Sequence, residues 1–209
     1  LELAMSLPYF EPWVGSNYGT NDDRFLVLGE SHYGPDSMPA NSTRVLTQEY
    51  ADGAWSHRFW TNIMQVVNGQ PHWKMDRVEF WSRVAFYNYV QQPVAETAGV
   101  APTSEMFMAS KEAFFLVLDS LRPKTILVLS KRLWENLPSE GKPGQEIRCG
   151  DVSRETWVYP YSGGQALAAW LPHPSYGFSW RRWYPCVLAL RAAGSNIPLH
   201  ADAPQAARR

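Results

Sequence analysis

Cysteine is nearly absent from this 209-residue chain: Cys149 and Cys186 are the only two. Two thiols cannot build a disulfide framework or a four-cysteine metal cluster. Both are read as reduced thiols of an intracellular, cytoplasmic protein. Long apolar runs are also missing. None approaches the roughly 20 residues of a membrane helix, and the first residues lack the basic-then-apolar layout of a secretory signal. The chain is therefore expected to make no membrane contact. Charge of one sign is scarce too: 19 Lys and Arg against 20 Asp and Glu give a net charge of −1. The overall balance demands neither nucleic acid nor an acidic substrate, although a local basic face would suffice for either. No internal repeat is present, and the length fits a single domain.

The abundant residue is tryptophan, at ten copies. Large aromatics serve cores, but they also make stacking surfaces for bases or sugars. The most informative stretch is Arg24-Phe25-Leu26-Val27-Leu28-Gly29-Glu30-Ser31-His32-Tyr33-Gly34. Its apolar run reads as a buried, parallel strand. The run breaks at glycine into a carboxylate, a hydroxyl, an imidazole and a phenol in succession. In an open α/β sheet, ligands bind beyond the carboxyl ends of the strands, so this is where chemistry is expected.

In chain order, residues 1–23 read as an irregular aromatic arm lying on the domain. Helices are expected over 43–50 and 57–67, the second with Phe59, Trp60, Ile63, Met64 and Val67 on one face. A β-rich strand is expected over 84–90. A long helix capped at Thr103 or Ser104 runs to Leu121 and is stopped by Pro123. Residues 125–129 repeat the apolar-run pattern, and a short helix follows over 131–137. The Pro- and Gly-rich segment 138–150 reads as a mobile loop. Strands are expected over 155–161 and 166–171, then a closing helix over 180–193 and a polar flexible tail over 194–209. Strands alternating with helices predict a three-layer α/β sandwich, with a mostly parallel central sheet of about four strands and one domain over 24–193.

Two strands end in polar clusters, at 30–33 and 173–175. With these in place, the chain resembles the uracil-DNA glycosylase superfamily. Gly29-Glu30-Ser31-His32-Tyr33 stands where that family carries its first motif, directly after the first strand. His173-Pro174-Ser175-Tyr176 stands where it carries His-Pro-Ser-Pro, and Asn88 matches an Asn at the end of a buried strand. The passage from Arg122 to Leu129 is similar as well. There are departures: Ser31 stands in place of the Asp or Asn that holds the attacking water, and His32 in place of proline. Branches with Glu at the second position often carry an iron–sulfur cluster, which two cysteines cannot supply. No metal or other cofactor is expected.

The resemblance implies a monomeric DNA glycosylase that removes uracil or a modified pyrimidine, in repair or in defence against foreign DNA. Such chemistry needs a donor for the charge growing on the leaving base, a placed water, and a base taken out of the stack. His173 fits the donor, and Glu30 and Ser31 share the water, with Asp36 as a further acid. Asn88 offers an amide to the base edge. Phe86 shares its face, and Tyr87 and Tyr89 point the other way by alternation. Tyr33 matches the residue that crowds position 5 of the pyrimidine, and His32 stands beside the substrate or fills the turn. Trp55 or Phe59 is available to stack on the base, core packing being the alternative for Phe59. Ser175, Phe178, Arg181 and Arg182 form the expected DNA contact, with Phe178 as a wedge into the duplex and the arginines on phosphate.

Two other classes stand beside this one. Gly29-Glu30-Ser31 also looks like the Gly-Asp-Ser start of a serine esterase, with Ser31 as nucleophile and His173 as base. No Asp precedes His173 at the spacing such enzymes use. A non-catalytic DNA-binding module on the same fold is the third.

Overall fold

The computed structural model describes residues 8–175 and 177–196. Residues 1–7 of the expected arm, Tyr176 of the second motif and residues 197–209 of the expected tail lie outside them.

The molecule is a three-layer α/β sandwich. Its strands are β1 (Trp13–Val14), β2 (Phe25–Gly29), β3 (Ala85–Asn88), β4 (Thr125–Leu129), β5 (Lys142–Pro143), β6 (Ile147–Cys149), β7 (Val152–Arg154), β8 (Trp157–Tyr161) and β9 (Gly164–Leu171). Its helices are α1 (Ser42–Ala51), α2 (Arg58–Asn68), α3 (Arg77–Arg83), α4 (Ser104–Ala109), α5 (Lys111–Leu121), α6 (Lys131–Asn136) and α7 (Trp180–Ser195). The main sheet has seven strands, in the order β1-β3-β2-β4-β9-β8-β5, not about four. Its centre, β3-β2-β4-β9, is parallel. The surplus comes from antiparallel additions at both edges: β1 beside β3, then β8 and β5 beyond β9. β1 and β5 are two-residue strands, too short to show a period in sequence.

β2 has no exposed residue, as an apolar run in a covered parallel sheet requires. Phe25 and Val27 face one core, with residues of α1, α2, α3 and α7. Leu26 and Leu28 face the other, beneath α4, α5 and α6. Chain order leaves β2 toward β3 on one side and later returns to β4 on its other side. The sheet therefore changes direction at β2, where a crevice opens at the strand ends.

Several expectations change here. The long helix from 103 to 121 is two helices, broken at Ser110. The Ser110 hydroxyl donates to the Met106 carbonyl and accepts the Gln91 N–H, which anchors the break in the structure. The segment 138–150 is not a featureless loop: it contains β5 and β6. β6 and β7 form a separate hairpin, and Cys149 on it is disulfide-bonded to Cys186 on α7, 37 residues away with 4.4 Å between Cα atoms. The reading of two reduced thiols is thus corrected, and with it the argument from cysteine for a reducing compartment. α7 contains Pro185. No described helix is long and apolar enough to cross a membrane.

Candidate functional site

The crevice beyond β2 is a cavity of about 470 Å³. Strand parity decides what faces it. Gly29 and Asn88 are register partners on adjacent strands, and Phe86 lies two residues before Asn88 on the same face. His173 follows β9 two residues after Leu171, whose side chain lies in that face's core. The cavity wall therefore collects Glu30, Ser31, His32 and Tyr33 from the β2 end, Phe86 and Asn88 from β3, and His173 from beyond β9. Tyr87 and Tyr89 pack in the opposite core, as alternation requires.

His32 is buried, with 6% of its surface accessible. Its Nε2 lies 2.7 Å from the Thr43 hydroxyl and 3.1 Å from the Asn88 amide nitrogen. Burial pushes its pKa down to about 4, so the ring is neutral near pH 7. A neutral Nε2 that accepts from the Asn88 amide leaves the ring proton on Nδ1. The amide of Asn88 is thus oriented by His32. A Cβ on Gly29 would collide with the Asn88 Oδ1 and come within 3.1 Å of the Phe86 ring, so only glycine lets β2 approach this pair. Phe10, from the arm, packs against His32 with centroids 4.6 Å apart and the rings tilted by 59°.

Glu30 does not face the cavity alone. Arg132 grips it as a fork, with Nε 2.9 Å from one carboxylate oxygen and a terminal nitrogen 2.5 Å from the other. Ser130 donates a longer bond of 3.4 Å to the same carboxylate and also caps α6 by accepting the Leu133 N–H. Ser130 has φ 149° and ψ 153°, a conformation normally reserved for glycine. Strain of this kind costs on the order of 1–3 kcal/mol and collects at functional sites. Here it coincides with the residue that joins the end of β4 to Glu30.

His173 is exposed at the cavity wall. Its pKa is lowered, chiefly by partial desolvation. Glu30 opposes that shift, while Arg132 and His57 add to it. No described side chain hydrogen-bonds its ring. Phe59 lies beside it, with centroids 5.2 Å apart and planes 31° from parallel. Phe59, open on its sequence position to base stacking or core packing, packs against the core and also lines the cavity. Trp55 does not line it and packs instead against Tyr50 and Trp60. The turn carrying His173 is held from α2, where Asn62 donates to the carbonyls of Pro174 and Ser175 at 3.3 and 3.5 Å. The Tyr33 phenol donates to the Val100 carbonyl at 2.8 Å and ties in the loop whose Ala98 and Gly99 close the far wall.

Ser175, Phe178, Arg181 and Arg182 are not part of this wall. Phe178, the expected wedge, is half-buried and packs against the core. Ser175, Arg181 and Arg182 are exposed. Asp36 stands at a different hollow, with Tyr9 and Gln91. Sequence reasoning missed Arg132, His57, Leu46 and Trp60 in the wall. No group of three or more potential metal ligands occurs among the described residues. No family model and no curated protein matches the chain.

Proposed function

We propose that the protein is a DNA glycosylase that hydrolyses the N-glycosidic bond of uracil or a modified pyrimidine, on a uracil-DNA glycosylase-like fold. The observation that carries this reading is the convergence of Glu30 to Tyr33, Asn88 and His173 on one cavity at the sheet's switch point. The base enters beside Phe86 and Phe59. Asn88 meets its polar edge with an amide that His32 holds in one orientation. His173, whose pKa is lowered chiefly by partial desolvation, donates an N–H to the base as negative charge gathers on it. Ser31 orients the water that attacks the sugar carbon. The Glu30–Arg132 pair holds the strand end in place, so Glu30 supports the water site through position more than as a free base.

Incubation with DNAs that differ in one base, followed by detection of abasic sites, tests the reading. At least one base should be released, and His173→Ala should slow that release by roughly 10²-fold or more. If a folded His173→Ala variant keeps full activity, the assignment falls. The serine-esterase reading is weaker on this geometry. No described residue hydrogen-bonds Ser31, and no carboxylate bonds the ring of His173, so the relay such enzymes need is not assembled. Labelling of Ser31 by a fluorophosphonate probe would reverse that ranking.

A further inference from the structure

Beside the end of β9, a second set of residues has no role in the cavity. The guanidinium of Arg154, on β7, lies 4.4 Å from the ring centre of Trp170 and 4.8 Å from that of Trp183. Arg182 lies over Trp183 as well, at 5.3 Å. Arg181 lies over Trp180 at 4.5 Å, one turn from these on α7. None of the three arginines forms a salt bridge with any carboxylate among the described residues. The Arg154 Nε is buried without a hydrogen-bond partner. Glu155, next in the chain, is turned away and accepts from the Trp134 indole.

Like charges at this spacing repel, and no carboxylate among the described residues pairs with them. The pKa of Arg154 is lowered by desolvation and then by Arg182. Tryptophan faces compensate in part through cation–π contact. The first turn of α7 has no acidic residue to meet its exposed N–H groups, and its cations oppose the helix dipole. The arrangement persists because the hairpin bearing Arg154 is bonded to α7 through Cys149 and Cys186. What it lacks is anionic charge from outside.

The geometry points to Arg154 and Arg182, both set over the Trp183 ring, as a contact for successive phosphates of a DNA strand. This rests on the glycosylase reading for the identity of the polyanion. A guanidinium offers several N–H donors in a planar fork that matches phosphate oxygens, and the Arg154 Nε is still without a partner. Trp170 stands three residues before His173 on the same chain segment.

The test reads binding without chemistry. Fluorescence anisotropy with a labelled oligonucleotide gives Kd over a series of salt concentrations, for the wild type and for Arg154→Ala, Arg154→Lys and Arg182→Ala. Each lost phosphate contact should reduce the slope of log K against log salt by about one and weaken binding alike across sequences. Arg154→Lys should fall between wild type and alanine, because it keeps the charge and loses the planar stack. If Arg154→Ala does not fold, Arg182→Ala and Arg154→Lys carry the measurement. Unchanged slopes in folded variants, or no salt-dependent DNA binding by the wild type, would overturn the inference. An arginine-dependent slope without release of any base would uphold the inference and sink the glycosylase reading. Base release with unaltered slopes would do the opposite.

Discussion

Acid should unfold this protein in part through one residue. An unfolded histidine takes up its proton near pH 6.5, whereas His32 in the fold does so only near pH 4. Between those values the unfolded chain binds a proton that the folded chain does not, so stability falls as pH falls through this window. The gap, at 1.36 kcal/mol for each pH step, amounts to about 3 kcal/mol. That is a large share of a typical folding free energy of about 5–15 kcal/mol. Urea unfolding at several pH values between 7 and 4, for the wild type and His32→Gln, isolates the effect from carboxylates that titrate in both proteins. His32→Gln loses the bonds to Thr43 and Asn88 and should be less stable at pH 7. Its deficit should then shrink by about 3 kcal/mol on the way to pH 4. Parallel stability curves for the two proteins would refute the assignment of His32 as a buried neutral imidazole.

Two further outcomes follow from the same geometry. Glu30→Gln and Arg132→Ala should be non-additive in a double-mutant cycle. The coupling should be only about 1 kcal/mol in stability, since Arg132 is half exposed; a coupling near zero would mean that the fork does not hold the strand end. Reducing the disulfide, or replacing both cysteines with serine, should lower the denaturation free energy by about 2–4 kcal/mol, as expected for closing a loop of 37 residues. Coincident unfolding curves with and without reductant would show that the bond adds nothing.

Much of the site was legible in the sequence because strands declare both their position and their parity. The apolar runs at 25–29 and 125–129 fixed the sheet centre, and a period of two put Phe86 and Asn88 on one face. The side chains that complete the wall carry no such signature. Arg132 opens a short helix and looks in sequence like any solvent-facing arginine; only the fold brings it to Glu30. His57 reads as the first residue of an ordinary helix; in the fold it caps that helix instead, accepting the Phe59 N–H. α3 went unread although its signal was present: Asp76 accepts the Glu79 N–H, with the acid–x–x–Glu spacing of a helix start. The cysteines misled because scarcity was taken as a sign of reduction. A single pair needs only one suitable approach, and the hairpin supplies it.

Pro185 gives the closing helix two mechanical parts. Proline has no N–H to return to the carbonyl four residues earlier, that of Arg181. The first turn, with Arg181, Arg182 and Trp183, is therefore joined to the rest of α7 by one bond fewer than an unbroken helix has. Directly after the proline, Cys186 is covalently anchored, and Val187 and Leu190 are fully buried. The helix thus has a covalently anchored base and a first turn that depends more on side-chain packing, with Trp180 and Trp183 set against the core.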